Sequence, residues 1–238
     1  MENKVVLLVN DDGIDAPGII QLAEAAKDLG EVWVVCPDRQ NSAMSHRITY
    51  NTPLTVTKRT DFMEGINAYA CSGSPADCVR VGVKLIGKRP DLVLSGVNYG
   101  YNISWDLQYS GTVSAALEAA FLGVNSIALS QANPEYHPVT DRYLKELIVE
   151  YMDRKLDKKQ CWNINFPDCP PEECKGVMRD VRVSDDNFYC DDYSVEQIDE
   201  NTAEYKVIAG RNWKGSEGTD LYAVTNNFVS VGVVKNIS

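Results

Sequence analysis

Apolar positions in the first two-thirds of the chain come in blocks rather than singly. Residues 5–9, VVLLV, form a continuous apolar, largely β-branched run, the pattern of a strand covered on both faces. Residues 18–29 follow, with Ile19, Leu22, Ala23, Ala26 and Leu29 at helical spacing and Gly30 as the stop. EVWVVCP, residues 31–37, is a second buried strand. Strand, helix and strand in such quick succession make a βαβ unit, which implies parallel strands.

The alternation continues. Residues 38–50 are polar and without a clean period, so they read as a loop, while 48–56 and 66–73 read as strands. Ser74 as N-cap, Pro75 in the first turn and Asp77 at the third helical position open a helix. Residues 91–98, 126–130 and 161–167 are further buried strands, and 112–122 and 138–156 further helices. The pattern predicts a Rossmann-like, doubly wound three-layer α/β core over residues 1–167, built on a mostly parallel sheet. After Pro167 the texture changes. DCPPEEC is a turn-rich break, and GVMRDVRV, EYKVIAG and NFVSVGVVKN are strand-like runs between acidic segments, with no helical period. Residues 168–238 read as a β-rich extension or arm that packs on the core and on a neighbouring subunit, making a homodimer or homotetramer.

Composition narrows the function classes. Net charge is −11 with no basic run, which argues against a nucleic-acid polymer or an anionic membrane as partner. The first apolar run is too short for a signal peptide or a membrane span, so a cytoplasmic location is the expectation. Seven cysteines are scattered along the chain, and Cys161, Cys169 and Cys174 lack the paired spacing of a zinc site.

Candidate chemistry lies where the strands end, because ligands of open parallel sheets bind outside the carboxyl ends. The first strand stops at Asn10, Asp11, Asp12 and Gly13. Two adjacent carboxylates repel each other unless a cation or a proton intervenes. The second strand leads to Gln40, Asn41 and Ser42, and the 91–98 strand to Asn98 and Asn102. These are oxygen donors, the ligands of Mg²⁺, Mn²⁺ or Ca²⁺ rather than of zinc. Ser110, Gly111 and Thr112 open the next helix, and a helix N-terminus offers unpaired N–H groups to a phosphate. Each motif alone is more often a turn or a cap; their coincidence at one sheet edge points to phosphoryl chemistry.

The residues resemble a known family. LLVNDDGIDAPGI, VCPDRQNSAMSHRIT, SGSPADCVRVG, DLVLSGVNYGYNISWDLQYSGTVSAALEA, NINFP and GTDLYAVTNNFVSVGVV are similar, in this order, to the motifs of the SurE survival-protein family. The resemblance implies a metal-dependent 5′-nucleotidase that hydrolyses nucleoside 5′-monophosphates, also 3′-monophosphates, and in some members short polyphosphate. It implies one divalent ion per subunit, held by Asp11, Asp12, Ser42 and Asn98, with Asn10, Asn102, Ser110, Gly111 and Thr112 around the phosphate. Asp12, with Asp11, orients or deprotonates the attacking water; direct attack by an aspartate stays open as the alternative. The chain departs from the family at Met44 and over residues 105–108, positions that bear on substrate choice. A receiver module lacks support, since no lysine follows the fourth buried strand, and a dinucleotide fold lacks its glycine fingerprint after the first strand. A nonenzymatic metal or nucleotide sensor on the same scaffold is the remaining alternative.

Overall fold

The computed structural model describes residues 4–133 and 135–235. Six parallel strands form the centre of a nine-stranded sheet. They are β1 (Lys4–Val9), β2 (Gly30–Pro37), β4 (Asn67–Cys71), β5 (Leu92–Tyr99), β6 (Asn125–Gln131) and β7 (Gln160–Phe166). β3 (Val56–Arg59) adds an antiparallel edge on β4. At the other side β11 (Val229–Lys235) pairs antiparallel with β7, and β8 (Val177–Val181) runs parallel to β11. The full order is β3-β4-β2-β1-β5-β6-β7-β11-β8.

Each central strand is apolar along most of its length because both faces are covered. Val5, Val6, Leu7, Leu8 and Val9 are all buried. Val6 and Leu8 face a core shared with α1 (Pro17–Ala26) and α4 (Pro138–Tyr151). Leu7 and Val9 face the opposite core with α2 (Pro75–Ile86) and α3 (Gly111–Phe121). The three layers follow from that alternation. α2 starts where its sequence says: Ser74 accepts from the Asp77 N–H, and Asp77 accepts from the Ser74 N–H at 2.9 Å, a reciprocal capping box.

Chain order reverses between β1 and β5. From β1 the sheet grows through β2 and β4 on one side, and through β5, β6 and β7 on the other. This is the topological switch point, where the helices leave a crevice above the strand ends. The β5 register shifts between Ser95 and Asn98, and Gly96 sits inside the shift at φ 139°. Only glycine adopts that conformation without penalty, so the bulge ties the place of Asn98 to a residue with no side chain.

Three expectations are corrected. Residues 48–55 form no strand; Thr49 is bound by its N–H and hydroxyl to the Asp77 carboxylate, and strand pairing starts only at Val56. The fourth helix ends at Tyr151 rather than at 156. The region after Pro167 does contain a helix, α5 (Asp220–Thr225), capped by Thr219. That region also splits in two. β8 and β11 complete the main sheet, while β9 (Asp192–Gln197) and β10 (Ala203–Ile208) form a separate antiparallel hairpin. Among the described residues no helix is long and apolar enough to cross a membrane.

Candidate active site

A cleft of about 680 Å³ opens above the β1 and β5 ends. Asp11, Ser42, Asn98, Asn102 and Ser110 line it. These five come from three segments of the chain, those at the ends of β1, β2 and β5, brought together by the switch point. Aromatic residues complete the wall: Tyr99, Tyr101, Trp105, Tyr109, Tyr189 and Tyr193.

Asp11 is buried at the floor of the cleft and held from α3. Thr112 donates its hydroxyl to Asp11 Oδ1 at 2.7 Å, and the Thr112 backbone also bonds the carboxylate. The α3 N-terminus therefore faces Asp11, where its dipole favours the negative charge. Gly111 permits the approach. A Cβ there would stand 2.9 Å from Asp11 Cβ and 3.0 Å from Oδ2. Burial nevertheless pushes the Asp11 carboxyl up to about 7; the Thr112 hydroxyl opposes this, and the charge of Asp12 adds to it.

Asp12 lies beside the cleft wall, where its Oδ2 accepts from the Tyr99 N–H at 3.3 Å. Burial raises its carboxyl as well, against hydrogen bonds from Tyr99 and Gln40. Asn98 donates its amide N–H to the Gly100 carbonyl at 2.8 Å, which frees its Oδ1 to act as a donor atom toward a cation. The Ser42 hydroxyl accepts from Gln40 at 3.1 Å. Two carboxylates, an amide oxygen and a hydroxyl are thus available at one sheet edge. Among the described residues no cluster of three or more His, Cys, Asp or Glu forms a metal site, and the seven cysteines are free thiols. The donor chemistry fits a hard divalent cation, and two adjacent carboxylates, both raised by burial, are the electrostatic demand for one.

The residues expected around a phosphate divide. Ser110 lines the cleft while its Oγ caps α3 by accepting from the Val113 N–H at 3.0 Å. Asn102 also lines it, anchored by donation to Ser130 Oγ at 2.8 Å and by its backbone to Asn163 and Asn165. Thr112 and Gly111 face Asp11. Asn10 is buried, donating to the Gly13 carbonyl at 2.8 Å and accepting from its N–H at 3.2 Å, so it shapes the turn that carries the aspartates.

Sequence reading missed the groups that bring the C-terminal segment to this cleft. Asp106 accepts from the backbone N–H groups of Phe188 and Tyr189 at 2.9 and 3.0 Å. Asp220 accepts from Ser104 and Ser184, each at 2.9 Å. Burial pushes the Asp220 carboxyl up to about 6 despite these bonds. The signal available was the aromatic density of YGYNISWDLQY, the segment between β5 and α3 that folds into a short 3-10 helix over Ser104–Tyr109.

The chain is similar to known proteins along most of its length. A family model described as survival protein SurE matches residues 6–187. A 5′-nucleotidase SurE from Geobacter sulfurreducens is 40% identical over 232 residues, covering 95% of this chain and 86% of the relative. A 5′-nucleotidase SurE 1 from Thermus thermophilus is 44% identical, covering 95% of this chain and 89% of the relative. The crystal structure of the SurE protein from Aquifex aeolicus superposes with a TM-score of 0.82 at 36% identity, covering 98% of this chain and 94% of that one.

Proposed function

The chain belongs to the SurE survival-protein family and is a 5′-nucleotidase, a phosphoric monoester hydrolase; we propose that it releases phosphate from nucleoside 5′-monophosphates, with 3′-monophosphates and short polyphosphate as further substrates, at a divalent-metal site in the β1/β5 crevice. One observation supports this reading above others. Asp11, Ser42 and Asn98 line a single cleft with Asp12 beside it, and burial raises both carboxylates.

Asp11, Asp12, Ser42 and Asn98 would hold the ion. A divalent cation there supplies Lewis acidity and neutralises the charge on the ester. Asp12, less buried than Asp11, orients the attacking water or takes its proton, with direct attack by an aspartate as the alternative. Asp11 is held by the Thr112 hydroxyl. Ser110 and Asn102 stand on the cleft wall to donate toward the equatorial phosphate oxygens, and Gly111 lets the α3 N-terminus approach them. The aromatic wall supplies flat apolar surface for the nucleoside, and residues 41–50 and 185–218 set its preference.

The reading includes a homodimer or homotetramer. Tyr193 pairs with Val207 and Val195 with Tyr205 across the β9–β10 hairpin, and all four side chains are more than half exposed. A two-stranded hairpin with a bare apolar face is marginal alone, and a neighbouring subunit would cover it. A cytoplasmic location completes the proposal.

The test is phosphate release from AMP, GMP, a 3′-nucleotide, a short polyphosphate and an aryl phosphate, after chelation and again with Mg²⁺, Mn²⁺ or Ca²⁺ restored. Metal-restored release from nucleotides is the expected result, and it ranks the substrates. Binding of metal without turnover on any of them would replace the enzyme reading with that of a sensor.

A further inference from the structure

The loop that carries Ser42 is fastened at both ends, and one fastening lies outside the cleft. At its start the Asn41 N–H donates to the Asp11 carbonyl at 2.7 Å. Beyond Ser42 the backbone enters the left-handed region twice, at Ala43 with φ 56° and at Ser45 with φ 54°. Residues with a Cβ are disfavoured there and hold such angles only where surrounding contacts over-determine them. Those contacts are visible. The Ser45 N–H donates to the Tyr109 carbonyl at 3.0 Å, and its hydroxyl to the Gln108 carbonyl at 2.6 Å. His46 Nε2 lies 2.9 Å from Glu118 Oε2, and its ring stacks on Phe121 at 5.3 Å.

Glu118 is an unusual anchor. Its side chain is only 4% exposed, in the middle of an Ala-rich helix. Arg80 donates to its other oxygen at 2.6 Å. Burial works against the charge, but the bonds from His46 and Arg80 outweigh it and keep the carboxyl below its ordinary value. An ionised Glu118 accepts, so the His46 ring donates. The same helix holds Asp11 through Thr112 in its first turn and the Ser42 loop through Glu118 in its second. Six residues of helix, about 9 Å, thus set the spacing between the two.

We propose that His46 and Glu118 form a latch that clamps residues 41–46 to α3 and so sets Ser42 against Asp11, making His46 a positioning residue for the divalent-metal site. This rests on Asp11 and Ser42 both serving as ligands. The chemistry required is a hydrogen-bond donor at His46 and a carboxylate at Glu118, not a charge on the imidazole.

The experiment is a calorimetric Mn²⁺ titration, with kcat and KM for AMP, on wild type, His46→Phe, His46→Gln, Ser42→Ala and Asp11→Asn. His46→Phe keeps an aromatic ring on Phe121 and removes the donor. His46→Gln returns an amide N–H near the former Nε2. Partners behind metal ligands are worth about 10- to 100-fold in affinity. The expected result is about tenfold weaker Mn²⁺ binding and a lower kcat for His46→Phe at little change in melting temperature, with His46→Gln within about threefold of wild type. Wild-type Mn²⁺ affinity and kcat in His46→Phe, beside weakened Ser42→Ala and Asp11→Asn, would overturn the latch alone. Losses in both His46 variants that follow their melting temperatures would overturn it in favour of a purely structural contact. Unchanged Mn²⁺ affinity in Ser42→Ala and Asp11→Asn would overturn the metal reading itself, and the latch with it.

Discussion

Thr112 donates its hydroxyl to Asp11 at 2.7 Å across a sequence separation of 101 residues. The bond joins the end of β1 to the start of α3, two elements on either side of the switch point. It also opposes the burial that raises Asp11. Thr112→Val keeps the shape and removes the donor. Hydrogen bonds to charged groups are worth about 1.5–3 kcal/mol, so Mn²⁺ affinity is expected to fall about tenfold or more. Thr112→Ser should stay near wild type. Isothermal titration of the two variants checks both statements.

The raised Asp11 carboxyl makes the metal-free protein pH-dependent. The unfolded chain loses this proton near its ordinary value of 3.8, whereas the folded chain keeps it to about 7. Between those values the folded state binds more protons, so stability falls as pH rises and levels off above about 7. Asp12 shifts in the same direction. A divalent cation favours the ionised pair and reverses the trend. The rise in melting temperature on adding Mn²⁺ should therefore be larger at pH 8 than at pH 5. Thermal melts with chelator and with metal across that range measure it, and an equal rise at both pH values would contradict the assignment.

Gly111→Ala tests the packing of α3 on the aspartate. The new methyl would meet Asp11 Cβ at 2.9 Å and Oδ2 at 3.0 Å, and overpacking of this kind costs about 1–3 kcal/mol. The strain falls on the carboxylate rather than on the distant core. Phosphate release should drop at least about tenfold while circular dichroism keeps its folded signature. A variant with full activity would show that Asp11 moves freely.

Most of this architecture was legible in the sequence because burial on both faces leaves continuous apolar runs. VVLLV and EVWVVCP are short and rich in β-branched residues, which favours covered strands over buried helix once a helical period lies between them. The misreadings have physical causes. Residues 48–55 alternate like a strand, yet Asp77 takes the Thr49 N–H that a ladder would need. α5 is six residues long, too short for a period, and only Thr219 and Asp220 marked its start. β9 is exposed along its whole length, so no apolar pattern announced it. At the site, the oxygen donors at the strand ends were readable from the switch-point rule. The division of labour among Asn10, Ser110 and Thr112 was not, since it depends on which atom each side chain meets. Asp106 and Asp220 were missed because a buried carboxylate that gathers backbone N–H groups has the same letter as a solvated one.

The hairpin supplies the last prediction. Tyr193, Val195, Tyr205 and Val207 lie on one face of β9–β10, exposed by 52 to 67%. None of the four sits in a core cluster of the sheet, so their substitution leaves the packing of the main sheet intact and removes only contacts within the hairpin, the Tyr193–Tyr205 ring pair among them. Exposed substitutions rarely change stability by more than about 0.5 kcal/mol. Replacing Val195, Tyr205 and Val207 together by Ser should lower the mass in light scattering, to one chain from a dimer or to two from a tetramer, with the melt of the main sheet little changed once concentration is held low. Tyr193 is left in place because it also lines the cleft. An unchanged mass would move the interface to another surface and leave the hairpin as a wall of the cleft alone.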